Sequence, residues 1–197
     1  SKVKRDNIPV IRRYTGGGTV IVDESTLFAS FIMNNTDADT QPYPREIMAW
    51  SEKIYAPAFN NAMPEKDGIQ FQLREHDYVI GDKKIGGNAQ SIIKNRWIHH
   101  TSFLWNFNGE NMEYLQLPKK RPEYRQSRKH TDFLLPISTR LSSIELLERN
   151  IFHELAKHYN LKPLTEQEII QKASELKVIN PEFQCRTKRE DLSEYPV

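Results

Sequence analysis

Two glycine-rich segments hold the residues of this chain best suited to bind an acidic group. Gly16, Gly17 and Gly18 follow the basic pair Arg12 and Arg13, and glycines without a Cβ let backbone amides approach a ligand closely. An arginine beside such amides suits a phosphate or a carboxylate. A flexible hairpin turn explains the same glycines equally well. The segment also lacks the GxxxxGK[ST] pattern and the following helix of a Walker loop.

The second segment, Gly81–Gln90, places two lysines directly before a glycine pair. The ammonium of Lys83 or Lys84 can therefore reach a site that the amides of Gly86 and Gly87 also approach. A positive charge there would stabilise a developing phosphoryl or carboxyl oxygen. The alternative is a solvated turn whose lysines only keep the surface polar.

The histidines and the single cysteine favour no metal centre and no nucleophile. His99 and His100 are adjacent, and adjacent residues on a strand point to opposite faces, so they cannot both bind one metal in the usual way. We expect one to be buried and the other to lie near the surface or a site. His153 and His158 are five residues apart, whereas the zinc motif HExxH needs four. Cys185 lies in a charged tail and is interpreted as a plain thiol, and one cysteine excludes an intramolecular disulfide.

Composition restricts the class of protein further. The 197 residues are enough for one good core. No stretch approaches the roughly 18 to 20 apolar residues of a membrane span, and the mean hydropathy is −0.69. Charges of 28 Lys plus Arg against 26 Asp plus Glu leave a net charge of +2, which is too small to imply nucleic acid. We therefore expect a soluble domain with neither a membrane nor a nucleic-acid partner, and with room for an acidic protein partner.

Secondary-structure elements must position these residues. Along the chain, the predicted strands come mostly first and the predicted helices mostly last. Apolar and β-branched runs predict strands on both sides of the first glycine segment and through the middle of the chain, with a helix beginning near Pro44. Capping boxes at Ser142 and Thr165 predict two later helices. This order favours an α+β fold with mixed, largely antiparallel sheets flanked by helices. We predict one catalytic domain over residues 1–183, incomplete at its N-terminus, and a charged tail over 184–197. The predicted strands are Pro9–Tyr14, Thr19–Val22, Leu27–Met33, Ile69–Leu73, Tyr78–Ile80, Ile85–Ile93 and Ser102–Phe107.

Three motifs in a fixed order resemble those of the lipoate-protein ligase A family, within the wider biotin/lipoate ligase group. They are RRYTGGGTV at Arg12–Val20, GDKKIGGNAQ at Gly81–Gln90 and HHTSFLWN at His99–Asn106. The resemblance runs from about Lys4 to about Leu135 and implies the class II aminoacyl-tRNA synthetase-like catalytic fold of that group. It also implies a two-step reaction, in which lipoate and ATP give lipoyl-AMP and pyrophosphate, and the lipoyl group then passes to a lysine of an acceptor protein.

The resemblance also implies roles for individual residues. Lys84 matches the family's catalytic lysine, which contacts the acyl carbonyl and the phosphate. Magnesium is expected to accompany the triphosphate. The residues expected to bind lipoate, ATP or lipoyl-AMP are Arg13, Gly16, Gly17, Gly18, Thr19, Val20, Ile21, Gly87, Asn88, His100 and Ser102.

Partners follow from the same resemblance. The expected acceptors are lipoyl domains of 2-oxoacid dehydrogenase complexes and the glycine cleavage H protein. Because the residues after Thr139 look like the catalytic domain's own helices, adenylation is expected to need a separate accessory protein or a ready-made adenylate. The candidate residues for steering an acidic acceptor are Lys119, Lys120, Arg121, Arg125 and Arg128.

Two other functions stay open. One is octanoyl transfer, for which Cys185 is the available cysteine, and the other is a non-catalytic module that binds an acyl-nucleotide or a partner protein. The compartment is likewise open between cytoplasm and mitochondrial matrix, since the chain starts at Ser1 with no leader to interpret.

Overall fold

The computed structural model describes residues 2–64, 68–116, 122–179 and 188–190. These residues form two compact units, a larger one over Thr15–Leu155 and a smaller one from the described parts of 1–14 and 156–197. The single catalytic domain expected over residues 1–183 stays a prediction. The helices are α1 (Lys2–Arg5), α2 (Pro44–Ala62), α3 (His130–Phe133), α4 (Ile144–Ala156) and α5 (Glu166–Ile179). The strands are β1 (Ile11–Arg12), β2 (Thr26–Asn34), β3 (Phe71–Arg74), β4 (Asp77–Ile80), β5 (Lys83–Ile93), β6 (Arg96–Leu104) and β7 (Lys188–Arg189).

The larger unit is built on a five-stranded antiparallel sheet in the order β2-β6-β5-β4-β3. Strands β4 and β5 are joined by a two-residue turn at Gly81 and Asp82, and Gly81 has a φ of 65°, a conformation that favours glycine. The α+β fold with a largely antiparallel sheet is therefore confirmed.

Helix α2 covers one face of this sheet. The predicted start near Pro44 is confirmed, and Pro44 stands in the first turn, where a missing N–H costs nothing. The apolar stripe of the helix, which comprises Ile47, Trp50, Ile54 and Ala58, is buried against the sheet. Aromatic side chains fill the space between helix and strands. These include Tyr55, Phe59, Phe71, Tyr78 and Phe103.

A second apolar cluster lies on the opposite face of the sheet, because Val79 alternates with the core residues Tyr78 and Ile80 on β4. Val79 packs there with Met112, Tyr124, Phe133 and Leu134. We call these five residues the Tyr124 cluster. Residues that follow β6 in the chain therefore cover the second face of the sheet around Val79.

Two local predictions were wrong. Thr19–Val22 is not a strand, and the predicted strand Pro9–Tyr14 is reduced to β1, which pairs with β7 inside the smaller unit. The three glycines therefore do not join two strands of one hairpin. Residues with high strand propensity form a strand only beside a partner strand, and the described residues provide none for 19–22.

Side chains close in sequence cap the N-termini of helices α4 and α5. The Thr165 hydroxyl accepts from the Glu168 amide at 3.3 Å while the Glu168 carboxylate accepts from the Thr165 amide at 2.7 Å, which confirms that capping box. At α4 the cap is Ser143, whose Oγ accepts from the Leu146 amide at 3.1 Å, one residue after the predicted Ser142. Within the described residues no helix has the length and apolar character that a bilayer crossing requires.

Candidate active site

Lys84 points away from helix α2 because strand β5 carries a bulge. Tyr78 pairs with Gly86 and Val79 pairs with Lys84, so Ile85 is one extra residue in β5. Strict alternation would put Lys84 on the same face as Gly86, which lies in the α2 core. The extra residue instead lets Ile85 and Gly86 both face that core and turns Lys84 to the opposite face.

The Lys84 ammonium lies beside Gly87 and Ser102, which are register partners on β5 and β6. A Cβ built on Gly87 would stand 3.5 Å from Lys84 Nζ and 3.9 Å from Ser102 Oγ. Asp77 Oδ1 accepts from the ammonium at 2.6 Å, and the Lys84 side chain keeps 26% of its surface exposed. The result is a cation fixed by one carboxylate, with bare backbone beside it and access to solvent.

The first glycine segment runs alongside the same strand. The Gly16 amide donates to the Gln90 carbonyl of β5 at 3.1 Å, and Ile21 packs against the Tyr124 cluster, next to Lys84. Residues 16–21 therefore extend along β5 from its Gln90 region towards its Lys84 end. Gly17 adopts a φ of 125°, which an L side chain rarely tolerates, and the residues from Gly16 to Val20 are exposed.

The histidine pair divides between the two faces, as the alternation predicts. His99 is fully buried on the α2 side, where the Gln90 side chain donates to its Nδ1 at 3.1 Å and Tyr78 OH lies 2.8 Å from its Nε2. Burial, with a smaller contribution from the charge of His100, lowers the pKa of His99 to about 4. His100 lies on the Lys84 face, where its Nδ1 is 2.6 Å from Ser30 Oγ.

Not every predicted site residue lies on the Lys84 face of the larger unit. Asn88 pairs with the buried Thr101 on the α2 side of the sheet, and its Nδ2 donates to the His76 carbonyl at 2.8 Å. Arg13 belongs to the smaller unit. The larger unit gathers the others along β5 and β6, on the face of Lys84 or in the segment beside it, and these are Gly16, Gly17, Gly18, Thr19, Val20, Ile21, Gly87, His100 and Ser102.

Two residues absent from the sequence prediction complete the surroundings of Lys84. Asp77 holds the ammonium, and Tyr124 OH donates to Asp77 Oδ2 at 2.8 Å. Burial and then the charge of Asp77 raise the pKa of Tyr124 far above its usual value, so its hydroxyl stays protonated. The Gly81–Asp82 turn was a usable signal for Asp77, because a two-residue turn at that position brings residues 77 and 84 to the same face of the hairpin.

The expected steering patch is only partly described. Arg125 is 5% exposed and its guanidinium lies 4.7 Å from the centre of the Phe133 ring. Arg128 lies over the same ring at 5.3 Å and donates to Asp82 at 2.8 Å. Both guanidinium groups are attracted to the aromatic face, and Arg125 is buried, so Arg125 does not belong to an exposed patch. The steering role of Arg128, whose side chain is 23% exposed, stays a prediction. Lys119, Lys120, Arg121 and Cys185 lie outside the described residues.

A cavity of about 510 Å³ lies beside the start of α2 and the turn between β3 and β4, and Glu75 and Glu123 are among its lining residues. Its lining includes Arg45, Met48, Leu73 and His76, and no residue of the predicted site. Among the described side chains, no group of three or more His, Cys, Asp or Glu is arranged to hold a metal ion. The chemistry available at Lys84 is therefore that of a positioned cation beside exposed backbone.

Comparison with known proteins agrees with this fold and this arrangement of motifs. Residues 1–159 match the model of the lipoyl protein ligase A/B catalytic domain. The chain therefore belongs to the lipoyl protein ligase A/B family, and the domain it forms is lipoate-protein ligase-like.

The curated relatives carry different names. A protein of Plasmodium falciparum (isolate 3D7) named inactive lipoate-protein ligase 2 is 34% identical over 200 residues, which cover 84% of this chain and 51% of that protein. A Schizosaccharomyces pombe protein named putative lipoate-protein ligase A is 36% identical over 124 residues, or 59% of this chain and 30% of that protein. The chain thus spans about half or less of the length of these curated relatives.

Solved structures support the same fold. The bipartite lipoate protein ligase of Thermoplasma acidophilum, studied with its E2 lipoyl domain, superposes with a TM-score of 0.62 at 21% identity, covering 88% of this chain and 68% of that one. A lipoate-protein ligase A bound with ATP gives a TM-score of 0.60 at 18% identity, covering 93% and 73%. At these identities the likeness concerns the fold.

Proposed function

We propose that this chain is the catalytic part of a lipoate-protein ligase or lipoyltransferase, with Lys84 as its catalytic residue. The observation that carries the proposal is the bulge at Ile85, which sets the Lys84 ammonium on the open face beside Gly87 and Ser102. The family match and the T. acidophilum ligase with its E2 lipoyl domain support lipoate as the acyl group and lipoyl domains as acceptors. The glycine cleavage H protein stays a further predicted acceptor.

Lys84 would stabilise negative charge in both steps. In the first, the lipoate carboxylate attacks the α-phosphate of ATP, lipoyl-AMP forms and pyrophosphate leaves. In the second, the amine of an acceptor lysine attacks the acyl carbonyl, an amide forms, and AMP and a proton leave. Each step builds charge on an oxygen that a fixed cation stabilises. Gly87 has no side chain to block the approach of that oxygen, and residues 16–21 would lie along the adenylate.

Magnesium is expected to enter with the triphosphate, because Mg²⁺ is commonly bound through substrate phosphates plus one or two carboxylates. The described residues offer no carboxylate cluster of their own, since both oxygens of Asp77 are already engaged. We therefore assign no step of the reaction to a protein-held metal.

A second function has a specific observation in its favour. The Plasmodium relative with 34% identity is named inactive, which favours a module that binds an acyl-nucleotide without reacting it. The two proposals differ in whether an acceptor is modified.

The test is acyl transfer to a purified lipoyl domain, followed by the intact mass of that domain. One reaction contains lipoate, ATP and magnesium, and a second contains lipoyl-AMP, which bypasses the adenylation step. We expect Lys84→Ala to lower transfer by about 10²- to 10³-fold, the effect of removing one charge-stabilising donor. Lys83→Ala is the matched control, because Lys83 pairs with the buried Ile80 and so lies on the other face.

Three outcomes separate the possibilities. Transfer from lipoyl-AMP but not from lipoate and ATP would indicate a transferase that depends on a separate activating protein. Binding of lipoyl-AMP without transfer would support the non-catalytic module. Equal transfer by Lys84→Ala and the wild type would refute the catalytic role of Lys84.

A further inference from the structure

Asp77 is held at both of its oxygens. Oδ1 contacts the Lys84 ammonium at 2.6 Å and Oδ2 accepts from Tyr124 OH at 2.8 Å. The residue is only 8% exposed, so water contributes little to its orientation. Fixing one carboxylate oxygen limits rotation of the group and therefore the position of the other oxygen.

Tyr124 is itself held rigidly. The Arg74 guanidinium lies 4.6 Å from the centre of its ring and the Phe133 ring lies 5.2 Å away on centroids. Its amide donates to Glu75 at 3.3 Å, and its carbonyl accepts from Arg128 at 2.6 Å. Ring, amide and carbonyl are all engaged, so the hydroxyl has a defined position.

The same stretch of chain also holds the backbone of Lys84. The Leu135 amide donates to the Lys84 carbonyl at 2.9 Å, and Leu134 forms an isolated parallel bridge with Lys84. Residues 124–135 therefore contact Lys84 at its backbone directly and at its ammonium through Asp77.

We propose that Tyr124 is a positioning residue, whose hydroxyl orients Asp77 so that Asp77 aims the Lys84 ammonium at the reacting oxygens. This rests on the proposed function of Lys84. Removal of the hydroxyl leaves the ring and its packing in place and frees Oδ2, so the ammonium samples a wider set of positions. The consequence is a loss in the chemical step more than in substrate binding.

The direct test compares Tyr124→Phe with Tyr55→Phe in the same chain. Tyr55 is the matched control, because it is fully buried on the α2 side and its hydroxyl donates to Thr101 at 3.1 Å. With lipoyl-AMP and a lipoyl domain, Tyr124→Phe is expected to lower kcat by about tenfold with KM unchanged, since the lost hydrogen bond is to a charged group. Tyr55→Phe should leave kcat within about twofold, because it removes a neutral hydrogen bond remote from the site.

A second measurement is independent of acyl transfer. The rate at which an amine-reactive reagent labels Lys84 is measured by peptide mass spectrometry, with Lys83 as the internal reference. An ammonium held against a carboxylate reacts slowly, so Tyr124→Phe should speed the labelling of Lys84 several-fold relative to Lys83. If the wild type transfers no lipoyl group, the proposed function fails while this measurement still decides the role of Tyr124.

Combination with Asp77→Asn tests whether the two residues act in series. If they do, adding Tyr124→Phe to Asp77→Asn changes neither the transfer rate nor the labelling rate further. Additive losses, unchanged labelling of Lys84 in Tyr124→Phe, or equal effects of Tyr55→Phe would each overturn the proposal.

Discussion

The adjacent glycines of β5 should respond in opposite ways to the same added methyl group. A Cβ on Gly86 would lie 2.8 Å from Phe103 Cδ1 and 3.1 Å from the Ser102 carbonyl oxygen. Phe103 is fully buried against Tyr55 and Phe59, so it cannot move away. Gly86→Ala should therefore cost about 1 to 3 kcal/mol, as overpacking of a filled core does.

The methyl group of Gly87→Ala meets a different environment. Its nearest neighbours are Lys84 Nζ at 3.5 Å and Lys84 Cε at 3.6 Å, which is ordinary contact with the end of a flexible side chain. Loss of backbone freedom in the unfolded chain can raise stability by about 0.4 to 1 kcal/mol where the backbone accepts alanine. The methyl group also occupies the space through which a ligand oxygen would reach the ammonium.

The assay therefore has two readouts for each variant. Thermal unfolding should place Gly86→Ala several degrees below the wild type, because about 1 kcal/mol corresponds to roughly 2 to 4 °C for a chain of this size. Gly87→Ala should unfold at or slightly above the wild-type temperature and yet transfer the lipoyl group much more slowly. A Gly86→Ala variant as stable as the wild type, or a Gly87→Ala variant with full transfer, would contradict the assignment of the two faces.

Two further predictions concern pH and the cysteine. Because the pKa of His99 falls from 6.5 to about 4 on folding, the unfolded chain binds more protons between these values. Stability should then decrease as pH falls from 6.5 to 4, by at most about 2.5 × 1.36 ≈ 3.4 kcal/mol. Urea unfolding at pH 7 and pH 4.5 measures this, and an unchanged pH response in His99→Gln would show that other groups cause it. Cys185→Ser should leave acyl transfer unchanged in the intact-mass assay. Loss of acyl transfer in this variant would favour octanoyl transfer through a cysteine.

The sequence predicted those elements whose patterns depend on neighbours close in the chain. Helix α2 was recognised by Pro44 at its start and by its apolar stripe, and strand β2 by a continuous apolar run that ends at Asn34 and Asn35. Thr19–Val22 was misassigned because its β-branched residues suggest a strand, while the partner strand that would make it one is absent among the described residues. The Ser143 cap was missed by one residue because two adjacent serines satisfy the same pattern.

The sequence predicted which motifs contribute to the site, but it did not predict which side chains surround Lys84. Residue types and spacing named Lys83, Lys84 and the glycine pair, and the family resemblance selected Lys84, which the structure places beside Gly87. Asp77 and Tyr124 were not named, since the contact of Tyr124 with Asp77 joins residues 47 positions apart. Alternation counted back from Gly86 would also have put Lys84 on the wrong face, because a bulge leaves no mark in the residue types around it.

The single unpaired position at Ile85 adds a buried side chain to the core without changing the strand partners of Lys84 and Gly86. Deleting Ile85 would restore a regular ladder and leave Lys84 on the open face, because Lys84 would then directly precede Gly86 and alternate with it. The core beneath α2 would, however, lose the fully buried Ile85 side chain. Many replacements of Ile85 by another apolar side chain would keep the count and hence the orientation. Loss of Ile85 should therefore lower the stability of the fold more than it disturbs the orientation of Lys84.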